Sequence, residues 1–490
     1  MQWPKSTCVF AAALALGIAP LCAQGQQADS RSGSPASPIE PVGTARDDGS
    51  NRGPIPGASG VSRAYDSLAD DPSQAVPDEH TLASVEDYGV GLLGAARNQF
   101  DPSVIFTQGG QTGYPGSSGP TGLASMTIGG GRVDFLRTGS RYQLFAIYNG
   151  GETLYHPQIL QNLAYHNFDM GQEIWWNRWA LRVRYNFLAS PQADFGGQGV
   201  GGPGMWGGAA VNPGDLLPPA IGINFAPSET ILTGPAIRLR HTALAEMDYA
   251  WSRRSRLTFA GSYGLLQFNT AGYLNSRGFA GQAGYEYSLD PKDTIGVLGA
   301  YGKTNFDGSS IFADSTLAEL SFGRKITGRL ALQLAAGPQQ IRLLNAAPAG
   351  LRMWTWAMHD ALTYQRRRTG LSLTYAHGLT GGSGVLFGAQ SHILTAILSR
   401  RLTRFWTASL TSGYARNSGL ASLHGISYDY NTWFSGANAG RQMGRHLNVN
   451  FNYGVERQTS TAVCPVAACL TNAYQHTFGM TVRWHLLPAE

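Results

Sequence analysis

The chain is 490 residues long, with 14% charged residues, 63 glycines and a formal net charge of +5, where a soluble protein carries about 25% charged residues and about 7% glycine. So dilute a charge excludes a nucleic-acid partner. Beyond residue 23 no run of 18 consecutive apolar residues occurs, which excludes membrane-spanning helices. If this chain enters a membrane, it does so as strands.

The chain opens with Lys5, an apolar run from Cys8 to Ile18, and Pro20-Leu21-Cys22-Ala23. That is the layout of a secretory signal peptide over residues 1–23, cleaved after Ala23, and it predicts export. Residues 24–97 follow as a low-complexity periplasmic tail or linker. Up to residue 60 it is Gly-, Pro- and Ser-rich with hardly an apolar residue, a composition that cannot bury a core and predicts disorder. The stretch 82–96 is read as a tether, with a short helix or plug-like element as the alternative.

From residue 98 to 487 the chain is a series of segments with alternating character. Leu447, Val449, Phe451, Tyr453 and Val455 face one way, and Asn448, Asn450, Asn452, Gly454 and Glu456 the other. Trp179, Leu181, Val183, Tyr185 and Phe187 alternate likewise with Ala180, Arg182, Arg184 and Asn186. The last segment, Tyr474 to Trp484, puts its large groups on even positions. Side chains on a strand point to opposite faces in turn, so each segment has one apolar and one wet face.

Connections alternate between two kinds. Tight ones carry turn or charged residues, as at Thr138-Gly139-Ser140, Trp176-Asn177-Arg178, Asp290-Pro291-Lys292 and Met443-Gly444; between them lie longer Gly- or Asn-rich ones, such as 190–235 and 381–388. Membrane barrels have short periplasmic turns and long outer loops. The count predicts an all-β, antiparallel up-and-down transmembrane barrel of about 18 strands, opening with Pro102 to Gln108, or 16 if the first pair lies outside the wall. Trp175, Trp176, Trp179, Trp251, Trp406 and Trp484 beside short turns, and Trp354, Trp356 and Trp433 near the opposite ends, predict two interfacial girdles.

In this pattern the chain resembles bacterial outer-membrane β-barrel proteins of the porin type over roughly residues 100–487. It departs from them at the end, where Leu486-Leu487-Pro488-Ala489-Glu490 follows Trp484 in place of a terminal aromatic residue. The resemblance implies residence in the cell outer membrane, contact with its lipid, insertion by the barrel-assembly machinery, and passage of small polar solutes. A plugged barrel with a structural or adhesion role is the alternative, and a barrel-embedded hydrolase a third reading.

Parity points Arg182, Arg184, Arg238, Arg240, Glu246, Asp248, Glu286, Glu319 and Glu456 inward. The connection 190–235 has 11 glycines, no Lys or Arg, and acids only at Asp194, Asp215 and Glu229. It is the third outer loop, which general porins fold into the lumen as a constriction. Acids on such a loop, facing wall arginines, predict a transverse field across a narrow pore. The reading preferred to this constriction is a loop that merely covers the mouth, with the arginines paired to lumenal acids.

Gly197-Gln198-Gly199-Val200-Gly201-Gly202 spells a dinucleotide fingerprint but neither follows a buried parallel strand nor opens a helix, so its physical basis is missing. His377 and His476 fall on lipid-facing registers and read as interfacial residues. Nothing selects a catalytic set, and no cofactor or metal site is expected. Cys464 and Cys469 predict a small-loop disulfide in an oxidising compartment.

Overall fold

A computed structural model describes residues 98–112, 123–156, 163–190, 231, 236–345, 351–366, 368–403, 405–420, 428–460 and 472–486. The segments 1–23 and 24–97, and Asp194, Asp215, Glu229, Cys464 and Cys469, lie outside the described residues.

The alternating segments form eighteen strands. They are β1 (Asn98–Thr112), β2 (Ala124–Thr138), β3 (Tyr142–His156), β4 (Leu163–Trp176), β5 (Trp179–Ser190), β6 (Arg238–Ala250), β7 (Ser255–Phe268), β8 (Ser276–Ser288) and β9 (Asp293–Phe306). The second half comprises β10 (Phe312–Thr327), β11 (Leu330–Leu344), β12 (Leu351–Arg366), β13 (Thr369–Thr380), β14 (Ala389–Arg401), β15 (Trp406–Gly419), β16 (Asp429–Met443), β17 (Leu447–Ser460) and β18 (Asn472–His485). Each pairs antiparallel with its sequence neighbours, and β1 pairs with both β2 and β18, so the sheet closes on itself. Closure leaves no edge unpaired, which hydrocarbon demands because an unsatisfied backbone group there costs several kcal/mol. The first strand is longer than the segment read from sequence, starting at Asn98 and ending at Thr112.

Facing follows the predicted parity. Phe451 is 47% and Phe478 41% exposed on the outer face, whereas Asn450 is 3% and Thr481 0% exposed on the inner. The outer surface is therefore the apolar one, the inverse of a soluble protein and the arrangement lipid requires.

Both girdles are present. Trp176, Trp251 and Trp484 are exposed beside the short turns, and Trp354, Trp356 and Trp433 at the other end. Trp175 differs, because its odd position on β4 turns it inward, where its indole N–H donates to Glu173 at 3.0 Å. The outer belt contains a repeated device absent from the sequence reading. Four lipid-facing tyrosine hydroxyls bond histidine Nδ1 atoms on the next strand: Tyr148 to His166 (2.9 Å), Tyr185 to His241 (2.8 Å), Tyr375 to His392 (3.0 Å) and Tyr453 to His476 (2.8 Å). In each pair the histidine sits diagonally, two residues nearer the long-loop end. Such diagonal cross-strand contacts are within reach of aromatic side chains, and they place the polar tip of each ring toward the headgroups.

Candidate pore lining and its constriction

Two charged clusters dominate the inner face. At the closing seam, Arg483 on β18 donates to Asp101 on β1 at 2.9 Å, to Asp134 on β2 at 2.6 Å, and through Nε to Ser103 Oγ at 2.9 Å. Arg132 adds a 2.8 Å bond to Asp134, and His485 lies 2.8 Å from Asp101. The first and last strands are thus joined by ion pairs as well as by backbone bonds. On β4 to β7, Arg182 bonds Glu173 at 2.9 Å and both Glu246 and Asp248 at 2.7 Å. Thr258 donates to Asp248 at 2.7 Å, and Arg184 pairs with Asp169. Hydrogen bonds between ionised partners are about twice as strong as neutral ones, and buried charges need them.

The inward residues named from sequence divide accordingly. Arg182, Glu246 and Asp248 meet in one network. Arg184 stands beside it with a separate partner, and Glu173 and Asp169, which complete both, were not singled out. Arg238 is fully buried, with its guanidinium 5.6 Å from the Phe268 ring centroid, and Arg240 is half-buried on the same face. Glu286, Glu319 and Glu456 are buried and inward. Glu319 lies 3.0 Å from His359 of β12, a partner that its odd position on β12 could have signalled.

At mid-height the inner face changes character. Ala260, Ala280, Leu298, Ala300, Leu317 and Ala357 form an apolar cluster across β7 to β12, flanked by Leu244. Towards the long-loop end, Phe306, Ala313, Ile341 and Leu343 form another with Leu379, Leu420 and Phe387.

This second cluster exists because the β13–β14 tip leaves the wall. Pairing of β12 with β13 stops at Met358↔His377, whereas β12 continues with β11 to Leu351↔Leu343. Strands β13 and β14 remain paired to Thr380↔Ala389. Their tip turns inside, where Gln390 bonds the inward Thr355 of β12. A 3₁₀ turn over Gly382–Gly384 is buried throughout. It reaches the β7–β8 connection and β9, where Leu274 N–H donates to Gly384 O at 2.7 Å and the Phe387 ring meets Phe306 edge-on at 5.4 Å. Gly384 has φ +76°, and a Cβ there would collide with the Phe268 ring, so glycine is required on both counts. Val385 and Leu386 pack with Tyr428, Tyr430 and the fully buried Ile231.

Among the described residues, then, 381–388 is the segment that narrows the mouth. Of the connection 190–235, the candidate constriction, only Ser190 at the end of β5 and Ile231 are described, and Ile231 packs against this tip. His377 keeps the outward register of β13 but is buried, its ring stacked 3.9 Å from His392, because the tip has drawn it beneath β12.

A closed 18-strand barrel with an apolar belt outside, a charged lining within and an inward-folded outer loop defines a porin-like transmembrane β-barrel of the outer-membrane type. No protein-family profile matches the sequence, and no curated protein matches it. Among solved structures, OccAB1 of Acinetobacter baumannii is similar at 9% identity and a TM-score of 0.39, covering 79% of this chain and 97% of that one. The outer membrane protein OpdK of Pseudomonas aeruginosa gives 12%, 0.40, 79% and 98%. OccK2 (OpdF) of the same species, in complex with glucuronate, gives 11%, 0.40, 79% and 99%.

Proposed function

We propose that this protein is an outer-membrane channel for small polar solutes, exported by a signal peptide over residues 1–23 and carrying a disulfide between Cys464 and Cys469. The observation that carries this reading is the uneven charge of the inner face. Seven inward arginines, Arg132, Arg182, Arg184, Arg238, Arg240, Arg256 and Arg483, lie on the arc from β18 round to β7, against Arg401 alone, at the end of β14, on the other arc among the described residues. The opposite arc carries the acids Glu286, Glu319 and Glu456, with the cations Lys325 and Arg401 confined to the short-turn ends of β10 and β14. A solute between them meets a field directed across the pore, which orients dipoles and sets ion preference. The β13–β14 tip acts as the size filter above this region.

Planar-bilayer recording tests the proposal. Refolded protein passes current, and replacing Arg182 and Arg184 by alanine strips the counter-charge from Glu173, Glu246, Asp248 and Asp169, moving the reversal potential toward cation preference. An unchanged reversal potential removes the arginine arc as the selectivity element.

A second reading, the plugged barrel with a structural role, is favoured by one observation. Leu298 and Leu317, at mid-height on the inner face, are only 3% and 2% exposed, less than a wide water-filled lumen gives. Bilayers that stay closed at every voltage decide for it.

A further inference from the structure

The short-turn end of the barrel is densely basic. Between the β6–β7, β8–β9 and β10–β11 turns lies a cleft of about 270 Å³, lined by Arg253, Arg254, Lys292, Arg324 and Lys325, with Asp290 as its carboxylate. That carboxylate is already engaged, accepting the backbone N–H groups of Lys292 at 2.6 Å and Asp293 at 2.8 Å. Arg324 has a longer contact of 3.6 Å with Asp293. The basic rim continues past the cleft through exposed Arg366, Arg401 and Arg445 at later turns. Like charges gathered on one face repel each other and attract an anionic cover.

The chain supplies one. Residues 66–87 contain Asp66, Asp70, Asp71, Asp78, Glu79, Glu86 and Asp87 and not one Lys or Arg. They precede β1, whose first residue, Asn98, pairs with Arg137 beside the β2–β3 turn and so emerges at this same basic end. Reach is sufficient. Eighteen strands spaced about 4.8 Å apart and tilted about 40° make a ring roughly 35 Å across. The 11 to 32 residues separating this segment from Asn98 span up to about 36 to 105 Å at about 3.3 Å per residue.

We propose that the acidic segment 66–87 docks on the basic rim at the short-turn end, centred on the cleft of Arg253, Arg254, Lys292 and Arg324. This goes beyond the channel reading and stands whether or not the lumen conducts. The contact is electrostatic and therefore salt-dependent, because the Debye length falls from about 10 Å at 0.1 M salt to about 3 Å at 1 M.

The test uses the full chain in neutral detergent, with native cysteines replaced by serine and spin labels at Ser73→Cys and Thr327→Cys. Pulsed electron paramagnetic resonance reads the distance between them. A narrow distribution at low salt that broadens at about 1 M supports docking. So does the same broadening at low salt when Asp66, Asp70, Asp71, Asp78 and Glu79 are neutralised to their amides, or when Arg253→Glu and Arg324→Glu are combined, with heat-modifiable gel mobility reporting that each variant still folds. A distribution that is broad at low salt, or indifferent to salt and to both sets of substitutions, overturns the proposal. Broadening caused by phosphatidylglycerol nanodiscs at low salt also overturns it, since the rim then belongs to anionic lipid headgroups.

Discussion

From β18 round to β7 the inner face holds seven arginines with six carboxylates beside them; from β8 round to β17 it holds Glu286, Glu319, His359 and Glu456, with Lys325 and Arg401 at the short-turn ends, among small, amide and apolar residues. The first arc is bonded by charge, as where Arg182 serves three carboxylates at once. The second lets the β13–β14 tip settle on Phe306, Ile341 and Leu343. Ion pairs join the barrel where its first and last strands meet, and apolar contact receives the segment that folds in. One wall therefore carries the field while the other carries the constriction.

Breaking the charged arc has the largest expected effect. Arg483→Leu leaves Asp101 and Asp134 buried beside an apolar side chain, and loss of one partner of a buried pair costs about 3 to 5 kcal/mol. The expected outcome is a lowered unfolding midpoint and loss of the fast-migrating folded band on unboiled gels. A midpoint equal to the parent's would mean that the seam is held by backbone bonds alone.

Next comes the contrast of facing on the other arc. Leu320, 72% exposed on the outer face, replaced by arginine loses about 2 to 4 kcal/mol if it lies near the bilayer midplane. Glu319→Gln, one residue away but inward, keeps an oxygen for His359 and changes stability by less than about 1 kcal/mol. Refolding into vesicles with denaturant titration measures both, and equal losses would contradict the assigned facing.

Gly384→Leu sharpens the apolar side of the comparison. The new side chain collides with Phe268 and must adopt a positive φ, a strain on the order of 1 to 3 kcal/mol. The tip is pushed from its seat, and single-channel conductance rises while the barrel stays folded. Unaltered conductance would show that 381–388 does not limit passage.

The smallest effect is at a short turn. Backbone N–H groups of Lys292 and Asp293 hold the Asp290 carboxyl below its ordinary pKa of 3.8. A depressed pKa stabilises the fold above the unfolded-state value, and the gain is lost as pH falls through the folded one. Asp290→Ala thus lowers the midpoint slightly near neutral pH and matches the parent in strong acid. A difference that persists in acid would assign the loss to turn geometry instead.

Much of this architecture was legible from residues alone. The dyad of Leu447 to Val455 against its asparagines gave facing, and the rhythm of Asp290-Pro291-Lys292-type turns and Gly-rich loops gave the count of eighteen. Local chemistry controls both, since side-chain alternation and turn propensity need no distant partner. Arg182, Glu246 and Asp248 were legible as inward, but not as one network, because β5–β6 register decides which charges meet. Trp175 was placed in a girdle by its neighbour, whereas its own parity sends it inward.

The tip at 381–388 was the least legible feature. Gly381-Gly382-Ser383-Gly384 reads as an ordinary flexible loop, and the apolar Val385-Leu386-Phe387 after it gives no hint of a destination. Its seat is made by residues from β7, β9, β11 and β16 and by Leu420 just past β15, which adjoin one another only once the ring is closed.

By itself the sequence determined that this chain forms a two-faced barrel, apolar outward and hydrophilic inward, because strand periodicity and the demands of lipid act residue by residue. Tertiary structure alone decided which charges share a hydrogen bond, which loop turns in and which histidine it buries. Those outcomes depend on strand register and ring closure, which bring together groups hundreds of residues apart.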